Sequence, residues 1–217
     1  PVPDALQNPE HWVFYAIYWC QIWFAFAMSL IVAAPAIAED VRTGAFTFYF
    51  SRPLSRAHYI VGKLLAVGLL IFGLCAGPGL LLSLLRIALA GSGTEALSQL
   101  PLLPITTVYA ALLAATLTLP ALALSAVSHR GGLAVGGWAA LFFVPWVLAE
   151  PAAAATGMAQ LTLLSVPTSL RLVGQHLYGI PPSYELPWIW PATTLIALIA
   201  VAAWALHRRL DRVEVFT

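Results

Sequence analysis

Five apolar runs, each close to or beyond the roughly twenty residues that cross a bilayer as a helix, decide what this chain can become. They cover about 12–38, 60–89, 105–127, 132–148 and 188–206. Inside hydrocarbon every backbone donor and acceptor has to find a partner within the protein, so only helices and closed barrels span it. A barrel needs alternating segments about ten residues long, and these runs are continuous. The expected fold is therefore all-α: a polytopic transmembrane helical bundle with five spans in one domain covering 1–217. Composition agrees, since 61% of the residues are hydrophobic against about 45–50% in a soluble domain.

The few cations orient the bundle. Lys and Arg gather on cytoplasmic loops, and the connection between the first two spans holds Arg42, Arg52, Arg56 and Lys63. Arg130 lies between spans three and four, and Arg208, Arg209 and Arg212 follow span five, whereas the opposite side has Arg86 and Arg171. Eight against two puts the C-terminus in the cytoplasm and residue 1 outside, in a multi-pass protein of the cytoplasmic (inner) membrane. An outside start with no signal peptide before it calls for a further crossing upstream of Pro1. The five spans are then expected to be spans two to six of six.

Within that frame the spans carry little chemistry. Trp12, Tyr15, Tyr18, Trp19 and Trp23 suit an interfacial aromatic belt. Gly73-xxx-Gly77 and Gly132-xxx-Gly136 suit close helix packing. Gly77-Pro78-Gly79 is read as an interruption of span two, and Pro120 and Pro145 as kinks. Between spans four and five, 150–187, a half-apolar stretch from Met158 to Tyr178 is expected to form short helices in or on the outer leaflet.

Charge concentrates in one island, Glu39-Asp40-Val41-Arg42-Thr43-Gly44 running on through Ser51-Arg52-Pro53-Leu54-Ser55-Arg56 to Gly62-Lys63, in a chain only 9% charged. Acids at a membrane edge are costly unless solvated or paired, and Arg42 is near enough to pair with either Glu39 or Asp40. Gly44 can relax the backbone where the span ends. Phe46, Tyr49 and Phe50 then fall at i, i+3, i+4 spacing, the pattern of a short amphipathic helix along the inner surface. Phe46, Phe48 and Phe50 also fit strand alternation, although a lone strand beside lipid leaves its edge unpaired. Pro53 belongs at a turn or helix start, and Ser55 can cap the helix that becomes span two. Arg52, Arg56 and Lys63 stand within reach of lipid phosphates or a protein partner. The plainer alternative is that these cations only anchor topology.

The ordered string from Glu39 to Lys63 resembles the cytoplasmic segment of ABC-2 type transporter permeases. That family's pattern is an acidic residue, a Gly-Thr-Leu step, an apolar turn, Ser-Arg-Pro-aliphatic-Ser-Arg and a Gly-Lys opening the next span. Glu39, Gly44, Ser51, Arg52, Pro53, Ser55, Arg56, Gly62 and Lys63 match, while Ala45-Phe46 and Phe48-Tyr49-Phe50 depart from the usual Thr-Leu and Leu. The resemblance extends more loosely over the remaining spans and the basic end. It implies a permease subunit with a coupling segment, 39–58, that docks on a separate ATP-binding subunit, probing a groove with Phe46, Tyr49 and Phe50. Glu39, Asp40, Arg42, Gly44, Ser51, Arg52, Pro53, Ser55 and Arg56 would shape and orient that contact. A second permease copy, as homodimer or pseudo-dimer, and membrane lipid are the other implied partners. ATP and Mg would sit on the partner, with no cofactor in this chain. Members of the family are linked to drug export, sodium export and maturation of copper-containing enzymes, so the cargo stays open.

Other function classes find less in the residues. The basic residues are few and lie at membrane edges, so no nucleic-acid partner is expected. Gly62-Lys63 is preceded by Ala57 where a phosphate-binding loop needs Gly, and followed by Leu64 where it needs Ser or Thr. HExxH and GxSxG are both missing, and Cys20 and Cys75 have no metal or redox spacing. His11, His58, His129, His176 and His207 are scattered near span ends and read as interfacial polar residues, and Arg86 as a side chain snorkelling to the outer interface. The chain is not expected to be an enzyme. A membrane scaffold that anchors or regulates a cytoplasmic partner without transport is the alternative to a permease.

Overall fold

The computed structural model describes residues 9–45, 56–128 and 130–211. Among them every regular element is helical. In chain order they are α1 (Pro9–Met28), a π-helical turn (Ser29–Ala33), α2 (Ala36–Arg42), α3 (Arg56–Ala88), α4 (Gly93–Gln99), α5 (Leu102–Val127), α6 (Gly131–Thr156), a 3-10 turn (Ala159–Leu164), α7 (Val166–Leu177) and α8 (Ile189–Asp211). Five stretches are long and apolar enough to cross a membrane: Ala16–Arg42, His58–Ala88, Gly93–Val127, Gly131–Thr156 and Ile189–Arg208. The architecture is that of a multi-pass helical membrane protein.

Helix α5 is the central pillar. Its span is 61% buried, against 22% for those of α6 and α8, and Tyr109, Leu113 and Leu117 on it are almost wholly enclosed. Helices α3 and α8 flank it most extensively. Leu69, Leu148 and Val201 on the surrounding helices stay exposed, as expected where the solvent is as apolar as the side chain.

The structure departs from the sequence expectation at two spans. Gly77-Pro78-Gly79 does not interrupt span two, because α3 runs unbroken to Ala88 with Pro78 inside it. A proline leaves the carbonyl four residues back without its helical donor, and Gln21 Nε2 reaches across from α1 to donate to Cys75 O, the next carbonyl, at 2.8 Å. Span four likewise continues past Leu148 through Glu150 and Pro151, ending at Thr156 where Gly157 turns left-handed at φ 72°. The connection to α8 then holds the 3-10 turn and α7.

The first crossing breaks near its middle. Ser29 Oγ donates to Phe26 O at 2.7 Å and accepts Trp138 Nε1 from α6 at 2.8 Å. The π turn, whose Ala34 N–H reaches back to Ser29 O, and Pro35 separate α1 from α2. A wider ring of π turns, proline and cross-helix polar contacts is a usual cause of a helix bend.

The helices alternate, so the ends of the bundle differ. Arg42, Lys63, Arg130 and Arg208 fall at one, the charged face, and Arg86 and Arg171 at the other. The latter, the capped face, carries α4, the 3-10 turn and α7.

Candidate functional site

At the charged face α2 ends the first crossing, with Ile37 and Ala38 buried, and is held by three other helices. The first amide groups of any helix lack acceptors in their own helix, and Pro35 offers α2 no side-chain oxygen. Ser125 of α5 supplies one: its Oγ accepts from Ile37 N and Ala38 N, both at 3.0 Å. It performs from a neighbouring helix the task of a local N-cap.

Asp40 ties α2 to α3. Its Oδ2 accepts from Tyr59 OH at 2.6 Å and lies 2.9 Å from Lys63 Nζ. Lys63 Nζ also donates to Ala36 O at 3.2 Å, and its side chain is only a quarter exposed. Lys63 is therefore held within the bundle by Asp40 and Ala36 while still lining the concavity at this face. Tyr59 and Lys63 are four apart, on one face of α3, which is why one carboxylate meets both.

Glu39 takes Arg42, which the sequence left free to choose either acid. Arg42 Nε donates to Glu39 Oε2 at 2.8 Å. The other carboxylate oxygen lies against the first turn of α6: a β-carbon placed on Gly131 would stand 2.7 Å from Glu39 Oε1 and 3.3 Å from Pro35 Cβ. Glycine lets the carboxylate come this close; a side chain there would push the flexible end of Glu39 aside. A helix N-terminus favours an anion by about 0.3–1 kcal/mol, so Glu39 is stabilised from both sides.

Beyond Arg42 the helix stops. Thr43 Oγ1 donates to Glu39 O at 2.8 Å, and Gly44 adopts φ 69°, the left-handed conformation that commonly closes a helix. Between α2 and α3 a concavity of about 350 Å³ is lined by Pro35, Glu39, Asp40 and Lys63.

Of the residues expected to form the site, Glu39, Asp40, Arg42 and Gly44 come together here. Phe46, Tyr49, Phe50, Ser51, Arg52, Pro53 and Ser55 lie outside the described residues, and Arg56 opens α3. The sequence reading missed Tyr59, Ser125 and Gly131. A serine near the end of an apolar run and a Gly-Gly pair at a span start were visible signals, but neither names its partner.

The capped face holds a second polar assembly. Glu150 Oε1 accepts from Arg171 Nη2 and Thr168 Oγ1, each at 3.0 Å, and the Arg171 guanidinium lies 5.5 Å from the Trp19 ring centre. Tyr178 OH donates to Thr106 Oγ1 at 2.9 Å; burial raises the phenol above its ordinary pKa, which keeps it a neutral donor. Among the described residues no group of three His, Cys, Asp or Glu side chains could hold a metal ion. Both assemblies join helices to one another, which is mechanical work.

The chain matches no protein-family model and no curated protein.

Proposed function

We propose that this chain is the membrane-spanning permease subunit of an ABC transporter, coupling ATP hydrolysis by a separate subunit to export of a substrate across the cytoplasmic membrane. The charged face is then cytoplasmic and the capped face external. The chain contributes spans two to six, with α7 and the 3-10 turn at the outer leaflet. The observation that carries this reading is the ordered string Glu39 to Lys63, joined to a helix, α2, whose sides are fastened to α3, α5 and α6.

A partner that pushes on a membrane subunit needs a stiff lever. Movement at 45–55 transmitted to α2 would be felt at once by Lys63, Ser125 and Gly131, on three different spans. Phe46, Tyr49 and Phe50 are the apolar groups that would seat in the partner's groove, while Glu39, Arg42, Arg52 and Arg56 fix its orientation. ATP and Mg belong to that partner, and a second permease copy completes the pathway.

The test is co-expression with a candidate ATP-binding subunit and purification by a tag on the permease. Phe46→Asp with Phe50→Asp is expected to abolish co-purification and vanadate-sensitive ATPase activity. Unchanged co-purification overturns the docking role. Stable ATPase association without substrate movement in vesicles points instead to the non-transporting scaffold.

A further inference from the structure

A groove of about 450 Å³ opens between α5, α7 and α8 near the capped face. Val108 and Leu112 of α5, Val173 of α7 and Ile196 of α8 form its apolar walls, and His176 and Trp188 supply its polar groups. We propose that this groove is a binding site for one membrane phospholipid, with one of its acyl chains against Leu112 and Ile196 and its headgroup region at the end marked by His176 and Trp188. The proposal is independent of the transport reading above.

Position selects the occupant. Val108 and Ile196 are 59% and 60% exposed yet belong to helices that cross the membrane, so hydrocarbon is the medium that reaches them. The polar groups sit at one end only: His176 is near the end of α7 and Trp188 directly precedes α8. That end meets the interface, where amphipathic rings gather, while the wall formed by Leu112 and Ile196 runs toward mid-bilayer. A lipid with a polar head, one of whose acyl chains enters the groove, matches this polarity.

Size and rigidity point the same way. The volume falls inside the roughly 300–1,000 Å³ of small-molecule sites, which are mainly apolar with a few placed polar groups. A second protein copy needs about 800 Å² per partner instead, far more surface than one dent provides. The site is also formed in advance. His176 Nε2 rests 3.3 Å from Leu186 O, and α7 is pinned through Glu150 to Arg171 and Thr168, and beyond its end through Tyr178 to Thr106.

The experiment uses the full chain in phosphatidylcholine vesicles carrying a trace of phosphatidylcholine with a diazirine on one acyl chain. After illumination, adducts are mapped by peptide mass spectrometry. Labelling is expected to be several-fold higher at 108–112 and 192–196 than at Leu69 and Leu148, which are at least as exposed. It should be competed by excess unlabelled phosphatidylcholine, and Ala192→Trp, which fills the groove, should remove it without altering labels on α3. His176→Ala should lower phospholipid retention in native mass spectra. Labelling in simple proportion to exposure, or labelling that no excess lipid competes, overturns the proposal even if Ala192→Trp fails to fold. Equal competition by hexadecane overturns the role given to the polar end.

Discussion

The two faces of this bundle use the same kind of ion pair for opposite ends. At the charged face, Asp40 and Lys63 join two consecutive spans, and 41–44 at the end of the first are exposed. At the capped face, Glu150 takes both of its donors from α7, so the pair folds a connection back onto the helices that it links. Nearly all of Val166–Gln175 is buried as a result. One set of charges fastens the exposed end of the first crossing to the next span, and the other holds α7 against the bundle.

The largest test of that contrast is Arg171→Met. It strips Glu150 of its cation at a site where the two side chains are 28% and 15% exposed. Removing one partner of a fully buried pair costs about 3–5 kcal/mol; partial exposure here brings the expected loss to about 2–3 kcal/mol once screening is allowed for. Denaturant unfolding in detergent micelles reads it, and adding Glu150→Gln should restore part of the loss. A loss under about 0.5 kcal/mol, the scale of an ordinary surface change, would mean that the pair does not hold α7 down.

At the charged face two smaller effects are expected. Gly131→Ala puts a methyl group against Glu39 Oε1; because the carboxylate end can swing away, the expected loss is about 0.5–1 kcal/mol, at or just below the low end of overpacking costs. Glu39→Ala in the same chain removes the clash, so the double variant should be more stable than the sum of the two losses predicts. Additive losses would place Glu39 elsewhere than on α6. Ser125→Ala leaves two amides at the start of α2 without their acceptor, at about 1 kcal/mol by analogy with a lost N-cap. Faster hydrogen exchange at Ile37 and Ala38, with α7 unchanged, is the signature that separates the two faces.

What was legible in the sequence follows from range. Five spans could be read because apolar length is a local property, and the short helices between spans four and five because their composition is half apolar. Ser92 and Glu95 have the spacing of a helix-start signal, and Ser92 Oγ accepts from Glu95 N while Glu95 Oε2 accepts from Gly91 N, but the stretch is short and exposed. Beside Pro78 the partner that reaches α3 is Gln21, 54 residues away from Cys75. Where α6 runs past Leu148, Glu150 takes its cation from Arg171, 21 residues on. Likewise Ser125 and Gly131 matter only because α2 folds against them. The aromatic positions Phe46, Tyr49 and Phe50, the centre of the sequence argument, fall outside the described residues.

The smallest expected effect is also the sharpest discriminator between bracing and docking. Arg42 is 60% exposed and its partner Glu39 41%, so the ion pair is screened by solvent and salt, and such pairs contribute about 0–1 kcal/mol. Arg42→Ala should shift unfolding by no more than about 0.5 kcal/mol, and raising salt should erase even that. If α2 only stiffens the bundle, this variant is silent in every assay. If Arg42 orients a partner, its loss should weaken co-purification of the ATP-binding subunit while stability stays unchanged. The paired measurement of stability and capture therefore assigns the guanidinium to the bundle or to the partner. A stability loss matching that of Arg171→Met would erase the distinction between an exposed helix end and a packed cap.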